Sequence, residues 1–278
     1  MSMSEMHAVQ DDCGFEIDTA LARSVIYDAL TEGFRPPGAG TLRTLTSGDA
    51  LETLRAAAEV VDAQSSSSSS AEPILPAVQR LADVSHLTPE MISDSRERLF
   101  GHTARGVVCP FETEYGGSDS AFRQPQELAD IAGFYLAFGL RQKPETEERV
   151  DHIGCQCEFM GFLGRKEALV LERGRASAAG PSASDHEMLE ETRRAGKMFL
   201  RGHIGRFGRT FASRLMSADP AGLHGRLGDI LFRLIGVECD RWGVAIGSPT
   251  LELRSTTESD APMACGTAPE LIQIQRPS

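Results

Sequence analysis

Apolar residues in this chain recur at three- and four-residue intervals and almost nowhere alternate with polar ones. That single pattern excludes a sheet protein, because a half-buried strand must alternate and a buried strand must run apolar without a break. The clearest segment is Gln124 to Leu140, where Leu128, Ile131, Tyr135 and Phe138 keep the helical spacing. Similar periodicity predicts helices over Ala20 to Phe34, from the cap at Ser47 or Asp49 to Ala63, and over Glu72 to Ser85. Thr88 as cap with Pro89 behind it predicts another to Phe100. Further helices are expected over Glu145 to Glu172, Asp185 to Met216 and Leu223 to Val244. The fold class is therefore all-α, a single-domain bundle of about eight helices.

Proline, glycine and serine mark the breaks. Arg35-Pro36-Pro37-Gly38 ends the first helix, since proline cannot continue the hydrogen-bond ladder. The run Ser65 to Ser70 buries nothing and reads as a loop within 64–71, and the small residues of 174–184 read as a loop or hinge. The expected organisation is a flexible arm over 1–17, a helical domain over 18–246 and an irregular tail over 247–278 that drapes over the surface or is disordered.

The net charge of −12 opposes binding to nucleic-acid phosphates and to anionic lipid, and favours a basic partner such as an arginine-bearing peptide. Six cysteines occur without a CxxC pair, and a chain of 278 residues needs no disulfide to fold, so reduced thiols are expected. The first residues carry acids and no apolar run, unlike a secretory signal, and no stretch approaches the roughly 18 to 20 apolar residues that span a bilayer. A cytoplasmic location is the expectation.

The segment Glu148 to Gly164, ERVDHIGCQCEFMGFLG, carries the most chemistry. Laid on a helix at about 100° per residue, one face collects Val150, Ile153, Cys157 and Met160. The other collects Glu148, Asp151, Cys155, Glu158 and Phe162, three carboxylates with an aromatic among them. Such a face suits a cationic and apolar peptide, because a guanidinium bonds both oxygens of a carboxylate. A plainer reading has another helix covering Phe162 while the acids stay solvated. His152 beside Asp151 invites comparison with metal hydrolases, with His203 as a further ligand, but the rest of a ligand set is not evident. His152, Cys155 and Cys157 point in divergent directions on one helix, so no metal site is expected. The loop Cys109 to Gly117, CPFETEYGG, places Phe111 and Tyr115 beside Glu112 and Glu114, either as a contact surface or as a turn with its rings tucked inward. Phosphate-binding loops and nucleophile elbows are missing, and neither a cofactor nor catalysis is expected.

Taken together, these residues resemble the TorD-like family (TorD, DmsD and NarJ types) of redox-enzyme maturation chaperones. PFETEYGG (Pro110 to Gly117) is similar to the family's aromatic-Glu-x-x-Tyr loop. ERVDHIGCQCEFMGFL (Glu148 to Leu163) is similar to its Asp-His helix, and FLRGHIGRFGRTFASRL (Phe199 to Leu215) to its Phe-Leu-x-x-His helix. QELADIAGFYLAFGL (Gln126 to Leu140) is most similar to the subgroup serving type II molybdoenzymes of the dimethyl-sulfoxide-reductase family. The resemblance spans Ala20 to Val244, with Val150 where the family often has proline before Asp-His, and Phe207 and Arg209 where it often has Trp and Pro. It implies an all-helical protein that binds the apo catalytic subunit of a molybdenum oxidoreductase, often at its twin-arginine signal peptide, until cofactor is inserted. Phe111, Glu112, Tyr115, Asp151, His152 and Glu158 carry over as client-contact residues, and the acidic face adds Glu148 and Phe162. A helical metal-dependent hydrolase using Asp151 and His152, and a structural subunit of a mature complex, are the alternatives.

Overall fold

The computed structural model describes residues 3–38, 40–64, 71–84, 86–101, 106–116, 124–141 and 148–254, with side chains from residue 14 onward. Ten α-helices occur among them and no strand: α1 (Met3–Phe34), α2 (Thr41–Thr46), α3 (Gly48–Ala63), α4 (Leu75–Arg80), α5 (Pro89–Phe100), α6 (Gln124–Ala137), α7 (Ile153–Ala176), α8 (Ala183–Gly202), α9 (Ile204–Ala218) and α10 (Leu223–Trp242). The all-α expectation is borne out. The serine run and residues 255–278 of the tail lie outside the described residues.

The caps expected from sequence close two helices. Ser47 Oγ accepts from Ala50 N at 3.3 Å, and Thr88 Oγ1 accepts from Met91 N at 3.3 Å with Pro89 in the first turn.

Four boundaries differ from the sequence reading, each for a tertiary reason. Helix α1 starts at Met3 and runs through the segment expected as an arm. There Ile17 and Ala20 pack on Ala168 of α7, and Glu16 pairs with Arg193 of α8 at 3.2 Å. Helix α7 starts only at Ile153, because Arg149 to His152 form a turn closed by His152 N donating to Arg149 O at 3.0 Å, and His152 (φ −64°, ψ 137°) pairs with Phe111 of the 109–116 loop. The predicted helix over Asp185 to Met216 breaks at His203 (φ −125°, ψ −99°), where the ring is drawn onto Glu112. The loop expected over 174–184 is narrower at both ends, since α7 runs to Ala176 and α8 starts at Ala183, leaving 177–182 as the connection with Gly180 at φ 76°.

Helix α7 is the central element and lies along α1. Two glycines permit the close approach. A Cβ at Gly164 would stand 2.9 Å from Ala20 O, and one at Gly161 would stand 2.8 Å from Asp28 Oδ1. Around the crossing, Ile26, Tyr27 and Leu30 of α1 are fully buried, as are Cys157 of α7 and Leu227 and Leu231 of α10. A buried charge cluster ties the helices together. Arg23 of α1 bonds Glu238 of α10 at 2.5 and 2.6 Å and Glu167 of α7 at 3.1 Å. Glu167 also receives Arg193 of α8 and Arg241 of α10, at 2.7 and 3.3 Å. Burial opposes the Arg23 charge, but Glu238 and Glu167 outweigh it and hold the guanidinium above its ordinary value.

Candidate functional site

The loop 109–116 sits between the turn that leads into α7 and the segment that ends at Arg254. On one side Phe111 pairs antiparallel with His152: Glu112 N donates to Asp151 O at 3.1 Å, and Ile153 N donates to Pro110 O at 2.9 Å. On the other side Tyr115 pairs with Leu253: Gly116 N donates to Glu252 O at 3.0 Å, and Arg254 N donates to Glu114 O at 2.8 Å. Between them Glu112 to Glu114 form a tight 3-10 turn. Tyr115 is buried, its hydroxyl donating to Cys109 O at 2.7 Å and its ring 5.5 Å from Phe207. Phe111 is half-buried, with the Arg149 guanidinium 4.4 Å above its ring and the His152 ring at its edge.

The structure gathers the predicted carboxylates of this region but turns them inward. Asp151 is fully buried: Oδ2 accepts from Thr113 N (3.1 Å), Thr113 Oγ1 (2.8 Å) and Arg149 (2.9 Å), and Oδ1 accepts from Arg149 Nε (3.1 Å). Glu112 is also fully buried and accepts from Arg206 (2.8 Å) and Gln156 (2.6 Å), with His203 Nδ1 at 3.2 Å. Glu114 accepts from Arg149 at 3.2 Å and lies 3.7 Å from Arg254. The expected open acidic cradle is therefore an internal cluster whose charges Arg149, Arg206 and Arg254 neutralise. Burying three carboxylates requires such partners. Sequence reading missed these arginines. Arg149 stands inside the quoted ERVDH block, but a helical reading turns it away from Asp151, whereas the turn from Arg149 to His152 brings its guanidinium onto the Asp151 carboxylate.

His152 caps α7. Its Nδ1 accepts from Gly154 N at 3.0 Å, so this nitrogen carries no proton. Burial, with Arg96, Arg35 and Arg149 nearby, holds the imidazole down to about 3. The Glu148 carboxylate 3.2 Å away is thus a neighbour of a neutral ring and not an ion-pair partner. Asp151 and His152 do not converge on a common point, and among the described residues no group of three or more His, Cys, Asp and Glu is placed to hold a metal ion.

The rest of the acidic face does reach the surface. Cys155, Glu158 and Phe162 line a cleft of about 190 Å³ with Tyr135, Leu140, Arg141, Phe159 and Arg165. Glu148 adjoins it, with the Cys155 thiol 4.0 Å from its carboxylate. Burial and Glu148 push that thiol up to about 12, so it is protonated. The Glu158 side chain is 52% exposed and pairs with Arg35, which also lies 3.9 Å from Glu148. Five positions predicted to form one face thus divide: Cys155, Glu158 and Phe162 line the cleft, Glu148 borders it, and Asp151 belongs to the interior.

A family model described as nitrate reductase delta subunit matches residues 66–213, a little over half of the chain. The chain belongs to that family. Its members are molybdoenzyme maturation chaperones of the NarJ/TorD-like kind, as the sequence resemblance implied. The matched span holds the 109–116 loop, the Asp151-His152 segment, the cleft and the break at His203. The extended segment through Arg254 lies beyond it. Comparison with curated proteins and with solved structures gave no match. Among the described residues no helix is long and apolar enough to cross a membrane.

Proposed function

We propose that this protein is a cytoplasmic chaperone that binds the apo catalytic subunit of a molybdenum oxidoreductase and assists cofactor insertion before export. The twin-arginine signal peptide of that client is its primary ligand. Family membership supports the chaperone role, and one observation carries the site: an exposed carboxylate, Glu158, stands at the mouth of a cleft floored by Tyr135, Phe159 and Phe162. A guanidinium on Glu158 with an apolar neighbour in the cleft is the match such a peptide offers. In the free protein Arg35 occupies the carboxylate, and a client arginine replaces it. Because both residues are substantially exposed, the exchange costs little. Phe111, Glu112, Tyr115, Asp151 and His152 act beneath this surface: they fix where α7 begins and so where Glu158 and Phe162 stand.

The test is titration of a labelled synthetic peptide bearing an Arg-Arg pair followed by an apolar run. Glu158→Gln is expected to weaken binding by about three- to tenfold and to flatten its salt dependence. Unchanged affinity in Glu158→Gln would remove the cleft as the site.

A further inference from the structure

We propose that residues 248–254 occupy a seat built for an extended, arginine-bearing peptide, and that a client segment of that chemistry takes the seat when this strap lifts. The inference rests on the chaperone reading and adds a second contact to the cleft. After α10 the chain turns at Gly243, crosses α9 with a bend at Pro249 and pairs through Leu253 with the 109–116 loop. Much of its hold is on main chain. Thr210 Oγ1 donates to Ser248 O at 2.8 Å and accepts from Leu251 N at 3.0 Å. Arg214 donates to Leu251 O at 3.0 Å, and the two backbone bonds to Glu114 and Gly116 complete the set.

Such contacts read an extended backbone rather than a sequence, which is how a peptide adds to an exposed edge. The side chains of Ser248, Pro249, Thr250 and Glu252 face solvent. Inward, Leu251 and Leu253 rest on the core, and Arg254 is buried beside the Glu114 carboxylate. The seat therefore takes a Leu-x-Leu-Arg pattern, apolar residues leading into a guanidinium. A client segment with an arginine beside apolar residues remakes the same bonds, so the exchange is close to balanced and is decided by competition with a tethered strap. One position sets the strap's fit. A Cβ on Gly247 would stand 2.2 Å from Gly205 O and 2.7 Å from Arg206 O, so only glycine lets the strap lie this close to α9.

Two measurements on the full chain test this. In the first, a fluorescein-labelled peptide of the strap's own sequence (residues 247–254) is titrated onto the parent and onto Gly247→Ala, with circular dichroism confirming that both fold. Gly247→Ala is expected to bind it about tenfold more tightly, because its tethered competitor is loosened. In the second, hydrogen exchange is followed in the unaltered protein while the Arg-Arg peptide is added. The amides of Leu251 and Arg254 are expected to lose protection while that of Gly116 keeps it. If the Arg-Arg peptide binds saturably and strap protection is unchanged, the seat is overturned while the chaperone reading stands. If Gly247→Ala takes up the strap peptide but the Arg-Arg peptide binds neither protein, the assigned occupant falls along with the twin-arginine reading.

Discussion

Two carboxylates that look alike in sequence have opposite duties here, and substitution separates them. Asp151→Asn removes the buried carboxylate that Arg149 and Thr113 bond and is expected to cost about 1–3 kcal/mol of stability, since the partly exposed Arg149 keeps Glu114, read as a shift in the denaturant midpoint. Glu158→Gln is expected to leave that midpoint within about 0.5 kcal/mol, since an exposed pair contributes little, and to act on binding instead. Arg35→Ala vacates Glu158 and is expected to tighten binding of the Arg-Arg peptide. Histidine gives the pH dependence. Burial holds His152 down to about 3 and His224 down to about 4, from an ordinary 6.5. Below pH 6.5 the unfolded chain takes up protons that the folded chain refuses. Stability is therefore complete above that pH and is lost as pH falls toward 4, by up to about 1.4 kcal/mol per pH unit for each histidine. His152→Asn keeps an N-cap acceptor without a titrating ring, and should make the loss of melting temperature between pH 6.5 and 4 shallower.

At the level of elements, what was legible in the sequence was what is local. Ser47 and Thr88 announce their helices because a cap acts within three residues of itself, and the α6 stripe is strong because Ile131 and Tyr135 face the core. The start of α7 was not legible. Nothing near Glu145 forbids a helix; the competing interaction is antiparallel pairing with Phe111, about forty residues earlier in the chain. Reading residues 148–152 as helical put Asp151 and Glu158 on one face, and the turn from Arg149 to His152 separates them. The break at His203 is similar: its cause is Glu112, on another element. The α1–α7 crossing makes its own prediction. Gly164→Val drives a branched side chain into the α1 backbone at Ala20 and should destabilise the fold by about 1–3 kcal/mol, whereas the same change at Gly133, with open space around it, should cost far less.

For the whole molecule, net acidity and the arginines set against buried carboxylates are two sides of one design. The chain carries a charge of −12, yet Glu112, Glu114, Asp151, Glu167 and Glu238 are buried and balanced by Arg23, Arg149, Arg193, Arg206, Arg241 and Arg254. The excess charge is negative, which on the proposed reading favours a basic segment and predicts that its capture depends on salt. The interior pairs tie α1, α7, α8 and α10 to one another and hold the 109–116 loop against the start of α7. On the proposed reading, such a chaperone grips its client before the cofactor is in place and releases it afterward. The most direct measurement is affinity capture of the tagged full chain from its native host, with mass spectrometry and molybdenum analysis of what it retains. The account predicts a molybdoenzyme catalytic subunit that is free of molybdenum and still bears its leader. A retained subunit carrying its full complement of metal, or a preparation containing no such subunit, would contradict it.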